Sequence, residues 1–137
     1  MSQPSRFPGS GPGVRQCWSI VGWALVLLVI TLSVTPAPIQ VPFELWNLGD
    51  KLGHVLAYTV LMFWFANLFE PPAQRAKLAV GFIVMGIVLE FVQRWIGYRS
   101  FEVADMAAGA VGVAAGWALA PPRMPNCLSR IEQLFRQ

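Results

Sequence analysis

The chain reads as an all-α integral membrane protein. The expected architecture is a four-helix bundle with both termini cytoplasmic and a short C-terminal amphipathic helix. Three observations point there. Of 137 residues, 55% are hydrophobic and only 12% charged, about half the charge of a soluble domain. Four apolar stretches follow one another with short proline-bearing or polar breaks between them. Lysine and arginine are distributed unevenly between alternate breaks. A soluble globule of this size could not bury so much apolar surface and keep a wet exterior, which argues against a soluble enzyme or a disulfide scaffold. The net charge of +3 is mild and scattered, so no nucleic-acid partner is expected.

Residues 1–14 are rich in Pro, Gly and Ser and read as a disordered N-terminal tail. Residues 17–34 (CWSIVGWALVLLVITLSV) carry no charge. At 1.5 Å per residue they reach about 27 Å, close to one hydrocarbon core. A cleaved signal peptide is the rival reading, but its apolar stretch is normally shorter, and only TPAP follows where a cleavage site would lie. Thr35 to Gly49 holds Pro36, Pro38 and Pro42 and reads as a loop, with Trp46 at the headgroup level. A second span is expected over 52–69, closed by Glu70-Pro71-Pro72. A third covers 78–96 and a fourth 101–120, closed by Pro121-Pro122. The domain thus runs over 17–120. Residues 121–137 form a cytoplasmic segment, in which Leu128, Ile131, Leu134 and Phe135 make the apolar stripe of a short surface helix. The excess of Trp and Phe reads as lipid-facing and belt material. Cys17 and Cys127 have no metal or redox spacing.

Orientation follows from the cations. Arg6, Arg15, Arg75, Lys77, Arg123, Arg130 and Arg136 fall in the tail, the second loop and the C-terminal segment; Lys51, Arg94 and Arg99 fall in the first and third loops. Seven against three puts both termini in the cytoplasm and the first and third loops outside. The corresponding location is the inner membrane of a bacterium, crossed several times.

Ionisable groups inside spans are costly and are functional candidates by default. Here they do not scatter. Asp50, His54 and Tyr58 are spaced i, i+4, i+8 near the start of the second span, with Lys51 beside them. Glu90, Gln93 and Arg94 share a face in the outer third of the third span. Asp105 lies one turn into the fourth. His54 and Asp105 fall roughly 5 Å, and Tyr58 and Glu90 roughly 10 Å, below the outer ends of their helices. Three helices therefore bring polar groups to one end at matching depth. On the fourth, Asp105 shares a face with Gly109, Gly112 and Gly116, small residues that let helices approach closely. Each group also has a plainer reading. His54 and Tyr58 suit interfacial or core positions, Lys51, Arg94 and Arg99 suit snorkelling anchors, and Glu90 with Asp105 could merely glue the bundle.

The segment DKLGHVLAY, Asp50 to Tyr58, resembles the D-K-x-x-H-x-x-x-Y motif of VanZ-like membrane proteins. Leu89 to Gly116 resembles that family's second motif, with Glu90, Gln93, Arg99, Phe101, Asp105, Gly112 and Gly116 in the matching places. Gly109 stands where the family commonly has Asn, so one amide of the family site is missing. The likeness covers about residues 45–120. It implies a VanZ-like transmembrane domain and a role in glycopeptide resistance or envelope homeostasis.

The site expected to bind a ligand comprises Asp50, Lys51, His54, Tyr58, Glu90, Gln93, Arg94, Arg99 and Asp105, with Gly109, Gly112 and Gly116 packing helices. Lys and Arg suit phosphate, and the carboxylates suit amine or hydroxyl groups. The expected partner is a membrane lipid, a lipid-linked cell-envelope precursor or a glycopeptide-type antibiotic, with a homo-oligomer left open. The alternative is a membrane-embedded enzyme acting on a headgroup, with His54, Glu90 and Asp105 as its acid–base set. A single histidine excludes two-histidine phosphatase and HExxH chemistry, and there is no G-x-S-x-G elbow. A metal on His54, Glu90 and Asp105 has weak support, and no metal or cofactor is expected. An ion pathway ranks last, because the inner halves of the spans lack polar groups.

Overall fold

The computed structural model of the protein describes residues 12–35, 43–97 and 102–135. Of the tail expected over 1–14, residues 1–11 lie outside the described residues and 12–14 are the first turn of a helix; Arg99, Phe101 and the side chain of Trp46 also lie outside the described residues. Five helices follow in order: α1 Pro12–Val34, α2 Phe43–Ala66, α3 Pro72–Ile96, α4 Val103–Leu119 and α5 Cys127–Leu134. There is no strand among the described residues, so the fold is all-α.

The first three helices start ahead of the apolar stretches that predict them, for local reasons, while α4 is slightly shorter than its expected span. α1 starts at Pro12, where a missing N–H costs nothing. It stops at Val34, since Thr35 precedes a proline and is pushed out of the helical region. α2 begins at Phe43, directly after Pro42, so half of the expected first loop is helix. Hydropathy hides this turn because Glu44, Asn47, Asp50 and Lys51 interrupt it. α3 likewise begins at Pro72, six residues before its apolar run at Leu78. It closes on Gly97, whose φ of 85° is left-handed and whose N–H returns to the Gln93 carbonyl. Among the described residues, α1 and α3 are long and apolar enough to cross a bilayer; α4 is apolar but shorter, and the polar first half of α2 lowers its hydropathy.

Contacts at the helix ends fix the directions. Arg15 near the start of α1 donates to the Leu68 carbonyl just past α2, and Gln93 near the end of α3 donates to the Ser33 carbonyl at the end of α1. Lys51 in α2 meets Glu102 at the head of α4. Helices α1 and α3 therefore run one way, and α2 and α4 the other.

The core holds Val26, Tyr58, Leu61, Met62, Phe65, Phe82 and Val113. α2 is its centre and packs most extensively on α4. That pair meets backbone to backbone. A Cβ on Gly112 would stand 2.5 Å from the Val55 carbonyl oxygen, and one on Gly116 2.5 Å from that of Thr59. The Thr59 hydroxyl also donates to the Gly112 carbonyl at 3.1 Å. Gly109 differs from the other two, because a Cβ there would rest 3.4 Å from the Tyr58 ring in ordinary contact. Two tryptophans join α1 to α2. Trp18 and Trp64 stack with centroids 3.9 Å apart, and each indole N–H donates to the other's carbonyl. These two are therefore internal fasteners, unlike the belt material expected of the tryptophans.

The outer surface is strongly apolar. Leu27, Leu32, Leu52, Leu56, Val80, Phe91, Trp95 and Val111 are all exposed. α5 folds back beneath the bundle, capped by the Asn126 side chain on the Ser129 N–H. Its apolar stripe is divided, with Leu128 buried and Leu134 and Phe135 open.

Candidate functional site

The polar residues of α2, α3 and α4 collect at the end of the bundle where α2 and α4 begin and α3 finishes. Glu102 stands immediately before α4. A carboxylate there is favoured by the exposed N–H groups and dipole of the helix start. Its side chain takes the Lys51 ammonium at 2.7 Å, while Asp105, one turn further on, lies 3.5 Å from the same nitrogen. The backbone N–H of Glu102 donates to Glu90 Oε1 at 2.8 Å, which ties the end of α3 to the start of α4. Lys51 sits one residue ahead of the apolar stretch over 52–69. The Glu102 carboxylate beside it holds its ammonium above the ordinary lysine value, against the pull of desolvation and with help from Asp105.

His54 sits one turn along α2. Its Nδ1 is 3.0 Å from the Asp50 carbonyl oxygen and 3.8 Å from Asp50 Oδ1. One ligand atom each from Asp50, His54 and Asp105 gather within 4.8 Å of one another. The Tyr58 ring lies parallel to His54, with centroids 6.5 Å apart, and its hydroxyl approaches Gly86 of α3. Glu90 is within electrostatic reach of Asp105, His54 and Glu102.

These residues divide by depth. Glu90, Gln93 and Asp105 are 2%, 1% and 1% exposed and form a floor. Asp50, Lys51 and His54 are half-buried and form a rim. Gln93 faces α1, where its Nε2 donates to the Ser33 carbonyl at 2.7 Å; its Oε1 accepts no hydrogen bond among the described residues. Arg94 is exposed in the last turn of α3. Gly109 lies beside the Tyr58 ring.

Glu102 is the member that the sequence reading passes over. Its signal is an acid one turn before Asp105 at the head of an apolar helix. At the opposite end two further residues act as fasteners that charge and hydropathy patterns do not mark. Arg75, counted only as a loop cation, is buried and donates to the carbonyls of Ala66, Phe69 and Pro121. Asn67 accepts the Cys127 N–H on its Oδ1 and anchors α5.

No family model matches the chain, and no solved structure matches it. The chain is 29% identical over 92 residues to an uncharacterized protein of Schizosaccharomyces pombe, a match covering 64% of this chain and 54% of that protein. It thus spans about half the length of this curated relative. The match corrects the location read from the sequence. The relative is fungal, so the inner membrane of a bacterium is withdrawn as the setting. The chemistry of the polar cluster does not depend on that setting.

Proposed function

We propose that the chain is a four-span membrane protein whose polar cluster binds the headgroup of a zwitterionic phospholipid. The reading is carried by one observation: a half-buried rim of Asp50, Lys51 and His54 over a buried acidic floor, at one end of a bundle with an apolar exterior. The rim presents both signs of charge. Lys51 is a point charge suited to phosphate, and the Asp50 and Asp105 carboxylates accept from an amine. In this reading the spans lie over 17–34, 52–69, 78–96 and 101–120. Arg15, Arg75, Lys77, Arg123 and Arg130 belong to the other end of the bundle. That end takes the cytoplasmic side by the distribution of positive charge, and the cluster takes the opposite side. The resemblance to VanZ-like proteins implies a site made of the same residues.

The test is lipid retention. The full chain is reconstituted in nanodiscs of equal phosphatidylethanolamine, phosphatidylcholine and phosphatidylglycerol, released into detergent and weighed intact by native mass spectrometry. Enrichment of phosphatidylethanolamine supports the reading. Lys51→Gln is expected to lower retention at least about tenfold, since a hydrogen bond to a charged group contributes about 1.5–3 kcal/mol. Co-purified lipid in bilayer proportions, unchanged by Lys51→Gln, would overturn it.

A further inference from the structure

We infer that Asp50, His54 and Asp105 form a binding site for a divalent transition-metal ion of the zinc class. The site does not rest on the headgroup reading. The three residues come from two helices, and their ligand atoms lie within 4.8 Å of one another. Ligands at 2.0–2.2 Å around one tetrahedral ion stand about 3.3–3.6 Å apart, so side-chain shifts of about 1 Å close the set. One imidazole and two carboxylates suit zinc or manganese better than magnesium or calcium, which take oxygen alone.

A second observation concerns the state of His54. Its Nδ1 faces the Asp50 carbonyl oxygen at 3.0 Å. A carbonyl only accepts, so Nδ1 is the donor in this contact and Nε2 is the nitrogen left to face an ion. A backbone carbonyl holding one ring N–H is the usual support behind a metal-bound histidine, because it fixes tautomer and orientation together.

Charge balance agrees. Asp50, Glu90, Glu102 and Asp105 bring four carboxylates to this end of the bundle, beside the Lys51 ammonium. Lys51 leans mainly on Glu102 at 2.7 Å and more loosely on Asp105 at 3.5 Å. Asp105 can turn to a metal while Lys51 stays paired with Glu102. The aspartates that accept a lipid amine are those that accept the ion, so ion and amine compete.

The experiment uses the full chain in detergent micelles with Cys17→Ser and Cys127→Ser, which removes the free thiols as a competing zinc site. After chelator treatment and without added lipid, zinc sulfate is titrated by calorimetry, and bound zinc is counted by mass spectrometry after dialysis. One zinc per chain is expected, with at least a tenfold loss of affinity in His54→Ala and in Asp50→Asn. Asp50→Asn is half-buried and keeps the side-chain shape, so its thermal unfolding separates loss of a ligand from loss of the fold. Cobalt in place of zinc should give visible bands of a nitrogen–oxygen site. Absence of stoichiometric zinc, or equal affinity in folded His54→Ala and Asp50→Asn, would overturn the site. Zinc binding without phospholipid enrichment would sustain it while the headgroup reading fails.

Discussion

A single methyl group reports how α2 meets α4. At Gly112 it would sit 2.5 Å from the Val55 carbonyl oxygen, a backbone atom that cannot swing aside. At Gly53 it would meet nothing within 4 Å. Gly112→Ala should therefore destabilise the protein by about 1–3 kcal/mol through overpacking. Gly53→Ala should be neutral or stabilise by about 0.5–1 kcal/mol, since alanine is the better helix former. Thermal unfolding in detergent compares the two, and equal melting points would contradict the close approach. The i, i+4 spacing made the small-residue face of α4 legible, but spacing cannot rank its members. Gly112 and Gly116 touch backbone, whereas Gly109 touches only a ring. The charged residues follow the same rule. Asp50, His54, Glu90 and Asp105 could be picked out because ionisable groups stand out in apolar sequence. Glu102 stands out only as an acid at the head of α4; its role is not legible there, because its partners Lys51 and the Glu90 carboxylate are distant along the chain.

Helix boundaries follow hydrogen bonding and proline, and hydropathy follows composition, so the two part wherever a helix starts in polar sequence. The first turns of α2 and α3 are the cases here. Helix α5 shows the converse. Its stripe of Leu128, Ile131, Leu134 and Phe135 was visible as a pattern, yet its docking depends on Asn67, a single polar residue in another segment. The buried Asn67 side chain accepts the Cys127 N–H at 2.8 Å and donates to the Phe63 carbonyl, and its own carbonyl receives the Asn126 amide. Asn67→Ala should leave the Cys127 N–H without its acceptor, at a cost of about 1–3 kcal/mol if that group stays buried. The readout is trypsin cleavage after Arg130, which should quicken several-fold while the rest of the chain stays resistant. An unchanged cleavage rate would mean that Leu128 alone holds the helix.

The whole molecule sorts its chemistry by end and by depth. Lipid-compatible residues cover the outside, acids and Lys51 gather at one end, and Arg15, Arg75 and Lys77 belong to the other. A protein proposed to cross the bilayer should stay with membranes through carbonate extraction and leave only with detergent; release by carbonate would count against the four spans. The all-helical architecture was legible from composition and apolar runs, whereas the partnership of α2 with α4 was not, since nothing in one helix states which neighbour its glycines meet. Arg75 carries the last consequence. From the first turn of α3 it holds the carbonyls of Ala66 at the end of α2, of Phe69 just beyond it and of Pro121 after α4, so three helices are riveted at that end. The opposite mouth closes through side chains of the polar cluster and the short Thr59 contact. That end is the clasp of the bundle, and amide exchange should be slower around Ala66 and Phe69 than at the mouth over Glu90 and Asp105.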